Sequence, residues 1–296
     1  MPERIFPRGR GAMFFLVLTA DALLLPAAHW LDVLCAGVLT LVLALGWFAL
    51  AKRLRIRDGF ALLARLPASL SRAAALLIAL LAAVIALRTA GQLAAFLQSF
   101  ALPGLPVWLA GVVILCAAWL LARNGPPALF LWALPIAWTA GAVIILSIAL
   151  SLPDWALPHT PLLKFFAFSD IFKMLGTVFA HALFLLLFTG YNEELPEAPG
   201  VLTGIACASA ALGLTGLRAI AVLGMRCAAA LPCPAYSAAG VFAIGDFLQR
   251  SESIFGAALS LCFLARAALL LCAARECFRL LAAPQPRKKA AQTQKS

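Results

Sequence analysis

The sequence predicts an all-α, polytopic membrane protein that crosses a bilayer about eight times. Three observations predict it. Hydrophobic residues make up 64% of the 296 positions, charged residues only 12%, and mean hydropathy is +1.01. A soluble domain has roughly 45–50% apolar and about 25% charged residues, and a water-exposed fold could not hide so much apolar surface. The apolar residues come in long blocks, as spanning helices need, without the alternation a membrane β-barrel would show.

The first block, residues 12–28, follows Arg4, Arg8 and Arg10. It has a signal-peptide outline but no convincing cleavage site, so it is read as helix 1 behind a short tail, residues 1–10. Helix 2 covers 31–50. A basic loop follows, with Lys52, Arg53, Arg55, Arg57, Arg65 and Arg72 set against Asp58. Helix 3, about 71–100, carries alanines and Gly91 that permit close packing. The turn ALPGLP leads to helix 4 (107–121), and RNGPP leads to helix 5 (128–150). A Pro- and aromatic-rich loop precedes helix 6 (171–188), and the acidic turn NEELPEAPG precedes helix 7 (201–223). Residues 226–249 hold an apolar stretch too short to span and read as an external hairpin. Helix 8 covers 253–281 within a membrane domain of 11–281, and 282–296 form a basic tail without a packed structure.

Charge fixes the expected orientation. With the N-terminus cytoplasmic, 16 of the 23 lysines and arginines fall in segments on the inner side, as the positive-inside rule requires. Eight spans return the C-terminus to the same side. Trp30, Trp108 and Trp155 fall at outer helix ends, where interfacial aromatics belong. The net charge of +11 therefore reflects membrane topology, and nucleic-acid binding is excluded as a class. The eight cysteines form no CxxC pair. Most lie in apolar blocks, where cysteine acts as a small hydrophobe; Cys227 and Cys233 flank an external turn and are the one pair placed for a disulfide.

Ionisable groups inside spans cost about 2.5–3.5 kcal/mol each on insertion scales and are functional candidates. Helix 1 has Asp21, helix 3 has Arg88 with Gln92 one turn later, helix 6 has His181, helix 7 has Arg218 and helix 8 has Arg266. Arg218, toward a helix end, reads as structural; Asp21 and His181 are the best placed for a proton or ligand role. A buried Asp21 needs a cationic partner, and Arg88 is the expected one. The histidines His29, His159 and His181 are dispersed, and the carboxylates do not pair within the membrane. No HExxH, GxSxG, P-loop or GxGxxG motif stands in a suitable context. No catalytic residue, cofactor or metal set is read from the sequence.

Two segments carry a family resemblance. The exit of helix 3 reads LRTAGQLAAFLQSFALPGLP, and the run before helix 8 reads IGDFLQRSESIFGAALSLCFLAR. They resemble the B subunits of spore-germination receptors (GerAB-type). Ile244, Gly245, Arg250, Glu252, Ser253 and Arg266 match the family pattern, with Leu259 where the family has tryptophan. The order of elements agrees from helix 1 to helix 8. The resemblance implies the amino acid–polyamine–organocation permease superfamily and its LeuT-type fold of two inverted five-helix repeats. Helices 1 and 6 of that fold break near the midplane, where freed backbone groups and half-helix dipoles meet ligands. The breaks would fall at 19–22 and 179–182, which makes Thr19, Asp21, Arg88, Gln92, His181 and Arg266 the substrate- or ion-binding candidates. Arg250, Glu252 and Ser253 are then a structural motif.

The chain departs from the family pattern at Ala20, Asp21 and His181, and at the start of helix 5. It also ends after helix 8, so the expected fold is truncated by its last two helices, which weighs against transport. The function implied is a permease-like germination-receptor subunit that senses a small solute such as an amino acid. It would work in the spore inner membrane with the lipid bilayer and other receptor subunits as partners. The alternatives are an amino acid transporter, a permease-derived structural subunit without ligand, and an unrelated membrane enzyme.

Overall fold

The computed structural model describes residues 5–25, 29–56, 58–156, 168–188, 198–241 and 251–282, and within them every regular element is helical. The long elements are α1 (Ile5–Thr19), α2 (Trp30–Leu54), α4 (Ala68–Phe96), α5 (Val107–Ala122), α6 (Pro126–Ser151), α9 (Ala198–Leu223) and α12 (Ser251–Ala282). The short ones are α3 (Gly59–Arg65), α7 (Phe168–Met174), α8 (Ala180–Leu186), α10 (Met225–Ala230) and α11 (Pro234–Ala239).

All eight predicted blocks are helical, but among the described residues six stretches are long and apolar enough to cross a membrane: those built on α2, α4, α6, α7–α8, α9 and α12. The other two are short for local reasons. Pro106 and the turn at Arg123 bound α5 at 16 residues, about 24 Å of helix. The α-helical part of α1 stops after 15 residues, where the chain tightens into a 3-10 turn over Ala20–Leu23. At its other end α1 starts at Ile5, inside the segment expected to be a tail, and Arg10 is buried on it.

Turn chemistry sets the other boundaries. Arg55, at φ 49, ends α2, and Arg65 donates 2.9 Å hydrogen bonds to the Leu54 and Arg55 carbonyls there. Within the basic loop, Asp58 caps α3 by accepting from the Ala61 N–H at 2.6 Å, so a short helix forms where only a loop was predicted. Gly125 at φ 86 and the Pro126–Pro127 pair start α6. In the 226–249 segment, the described part folds as α10 and α11, separated by a short turn with Cys233 just before Pro234; residues 242–250 lie outside the described residues, as does the tail from 283.

The packing is that of a protein solvated by lipid. On α4 the alanines at 75, 79, 82, 86 and 90 are buried, while Leu76, Leu77, Leu80, Val84 and Leu87 are exposed. Small residues inside and large apolar ones outside suit close helix contact in a bilayer. Around α1, Met13, Leu16, Val17 and Leu18 are fully buried, enclosed by α6, α9 and α12. The crossing of α1 over α9 is so close that a side chain on Gly204 would run into the Gly11 carbonyl, and one on Gly11 into that of Gly200. Helix α12 in turn lies against α4, α5 and α6. The centre of the bundle is therefore the place where the end of α1 meets the middle of α12.

Candidate functional site

The change of helix type at Ala20 creates the site. An α-helix that gives way to a 3-10 turn leaves carbonyls of its last turn short of their i+4 donors. Arg266, on α12 and 1% exposed, reaches one of them. Its Nε and Nη2 donate to the Val17 carbonyl at 2.8 and 2.5 Å. Its Nη1 and Nη2 donate to Asp21 Oδ1 and Oδ2 at 2.7 and 2.6 Å. This is a two-pronged guanidinium–carboxylate pair of the strong, oriented kind, and the guanidinium also lies 5.5 Å from the Phe263 ring centre. Thr19, fully buried, donates back to the Phe15 carbonyl at 2.7 Å, with its Oγ1 3.7 Å from Cys262 Sγ on α12. The main chain after the break is held by Asp21 itself, whose carbonyl accepts from the Leu24 and Leu25 amides.

A second irregular helix leads into α8, which lies against α1 and α12. Between α7 and α8 the chain widens into a π-helical turn over Leu175–Phe179, a form often found at functional sites. The segment expected to break at 179–182 thus departs from α-geometry just before it. His181, in the first turn of α8, bonds through Nδ1 to the Val178 carbonyl at 3.0 Å. A carbonyl only accepts, so Nδ1 carries the proton and Nε2 of the neutral ring is an acceptor. Arg266, Asp21 and Arg88 all lie within electrostatic reach of His181.

Three of the six candidates, Thr19, Asp21 and Arg266, therefore meet at one point, with His181 in electrostatic reach of it. The expected Asp21–Arg88 pair does not form. Both Asp21 oxygens are taken by Arg266, and Arg88 is exposed on α4 with no ion-pair partner among the described residues. Spacing along helices 1 and 3 could not reveal this, because the partner is 245 residues away. Gln92 is half-buried one turn beyond Arg88. In the motif before helix 8, Glu252 and Ser253 open α12: Glu252 Oε2 is buried without a hydrogen-bond partner among the described residues, and Ser253 is exposed. Arg250 lies outside the described residues.

Two features escaped the sequence reading. The Val17 carbonyl and Cys262 carry no sequence signal. Arg218 did, as a charge inside helix 7, and its fully buried guanidinium bonds to Ser147 Oγ and, at 2.6 Å, to the Ala235 carbonyl. It also lies 4.8 Å from the Phe255 ring centre, tying α6, α9, α11 and α12 together at a second node. A cleft of about 600 Å³ runs between α1, α6 and α9, lined by Phe15, Trp138, Gly141, Gly204 and Cys207. Its walls are mostly apolar, with Arg8 and Thr203 among the lining residues, and Asp21, His181 and Arg266 do not line it.

All-helical among its described residues, with six stretches fit to cross a membrane and a polar cluster at the interruption of the first helix, the chain is a multi-pass membrane protein. Within that class the chain belongs to the spore permease family of spore germination proteins, whose family model matches residues 5–285. No curated protein and no solved structure matches the chain.

Proposed function

We propose that this germination-related, permease-like membrane subunit senses a small zwitterionic solute, an amino acid being the simplest, at the break of α1. The reading rests on one observation above the others. The α-helical hydrogen bonding of α1 fails at Ala20 beside the buried Asp21–Arg266 pair, and His181 of α8 shares its electrostatic surroundings with that pair. The C-terminal end of a helix is a negative pole that attracts an ammonium group. His181 Nε2 offers a second acceptor. Arg88, without an ion-pair partner among the described residues, is a cation suited to a carboxylate. Sensing in the spore inner membrane, in complex with other receptor subunits and with both termini cytoplasmic, completes the proposal.

A structural subunit without ligand is the competing reading, and one observation favours it: Asp21 and Arg266 satisfy each other directly. The two readings separate by thermal stabilisation of the detergent-purified protein with a panel of amino acids. The sensing reading expects one or more amino acids to raise Tm, with His181→Ala and Arg88→Gln abolishing the shift and lowering germination. A flat panel, with normal germination in both variants, would leave the structural reading.

A further inference from the structure

The N-terminal end of α2 and the N-terminal end of α7 bring three separate residues together. His29 and Asp32 sit one helical turn apart, with His29 Nδ1 2.9 Å from Asp32 Oδ2. Asp170 arrives from α7, which lies against α2. One ligand atom from each of the three residues lies within 4.8 Å of the others. Two carboxylates and an imidazole, distant in sequence, therefore share one point, which the dispersed histidines and acids of the sequence did not suggest.

Clusters of acids are common and prove little alone. Here a second observation points to a cation. The Asp32 side chain is only 2% exposed, yet its Oδ1 has no hydrogen-bond partner among the described residues. A carboxylate oxygen taken out of water without a donor is costly. Asp170 does have a partner, Lys173 Nζ at 2.6 Å, but that lysine is 69% exposed on its side chain. Among the described residues, the one ammonium paired with the two carboxylates is therefore the exposed Lys173.

We propose that His29, Asp32 and Asp170 form a three-ligand site for a divalent transition-metal ion of the zinc class. One imidazole and two carboxylates are a donor set that zinc accepts, and hard ions such as Ca²⁺ and Mg²⁺ prefer all-oxygen cages. Bonds of about 2.0–2.2 Å would set the ligand atoms roughly 3.3 Å from one another, an adjustment that side-chain rotation supplies. The metal binds His29 Nδ1 in place of its hydrogen, which moves to Nε2 of the neutral ring, so the imidazole ligates without a net loss of a proton. It gives the orphaned Asp32 Oδ1 a partner and displaces Lys173 from Asp170. Three protein ligands leave a fourth position open to water. The ion would staple α2 to α7, the helix that leads through the π-turn to His181. This inference is independent of the solute-sensing proposal.

The test uses the full chain purified without a histidine tag and stripped with EDTA. Calorimetry with Zn²⁺, and the d–d absorption of Co²⁺, should show one equivalent bound, and Zn²⁺ should raise Tm. Asp32→Asn and Asp170→Asn should each weaken Zn²⁺ binding at least about tenfold, by analogy with the loss of metal-site partners. His29→Cys, which keeps a zinc ligand, should retain binding and shift the Co²⁺ spectrum toward thiolate charge transfer. Lys173→Gln should tighten binding. Should Asp32→Asn not fold, Asp170→Asn, at the helix surface, decides the matter. Absence of binding by the wild type, equal binding by Asp170→Asn, or a preference for Ca²⁺ or Mg²⁺ over Zn²⁺ would each overturn the proposal.

Discussion

Asp21 and Arg266 join the first and last described helices through two parallel hydrogen bonds of 2.7 and 2.6 Å. The same guanidinium caps the Val17 carbonyl, so one arginine answers both a carboxylate and a backbone group freed by the helix break. With Arg266 1% and Asp21 16% exposed on their side chains, neither charge has ready access to water. Removing one partner strands the other, which costs about 3–5 kcal/mol for buried pairs. Arg266→Ala and Asp21→Ala should each lower Tm sharply, and Arg266→Lys, which cannot make the two-pronged contact, should rescue little. A double-mutant cycle of Asp21→Asn with Arg266→Gln should give a coupling above about 1 kcal/mol. The same cycle run with Arg88→Gln should give a coupling near zero; a large Asp21–Arg88 term would contradict the observed pairing.

The Arg218 node should respond differently. Its guanidinium holds Ser147 and the Ala235 carbonyl, but its Nε has no partner among the described residues. Arg218→Leu orphans two acceptors, each worth about 1–3 kcal/mol when buried, while relieving the desolvation of a charge. The expected outcome is a loss smaller than for Arg266→Ala, measured as midpoints in a denaturant titration of the two variants. Equal losses would show that Arg218 is as essential to the bundle as Arg266.

The contact of α1 with α9 has no room for a side chain at Gly11 or Gly204. Gly204→Leu should force the helices apart and displace Thr19 and Asp21 with them, reducing both the yield of monodisperse protein and any solute-induced Tm shift. Gly91→Leu, at a position with open space around it, is the control and should behave as wild type in size-exclusion profile and Tm.

Cys227 and Cys233 are both free thiols, the first exposed and the second buried, so the disulfide that their spacing permitted is not formed. Cys233 lies outside the membrane-spanning helices, and burial pushes its thiol up to about 11. At pH 8 only about one molecule in a thousand would carry the reactive thiolate. In single-cysteine variants, maleimide should label Cys227 within minutes at pH 8 and leave Cys233 unmodified. Labelling of Cys233 should rise only as the pH approaches 11. Fast labelling of both at pH 8 would mean that the α10–α11 segment opens in solution.

The sequence by itself determined the class of the protein and where its helices lie. Apolar block length is a local property, so all eight blocks were legible, as were the proline- and glycine-marked starts of α5 and α6. The charges within spans were also visible, because a single arginine or aspartate stands out among leucines and alanines. Only the tertiary structure decided which of them meet. Asp21 chose Arg266 over Arg88 because the crossing of α1 and α12 places the guanidinium at the helix break, and chain separation carries no record of that crossing. The short α3 depended on one cap, Asp58, that reads in the sequence as a lone acid in a basic loop. The His29–Asp32–Asp170 cluster was hidden for the same reason as the ion pair: His29 and Asp32 are one turn apart, but Asp170 joins them only because α7 packs against α2. Solvation by lipid makes the helices readable one at a time, and the close packing of their small faces then selects the pairs.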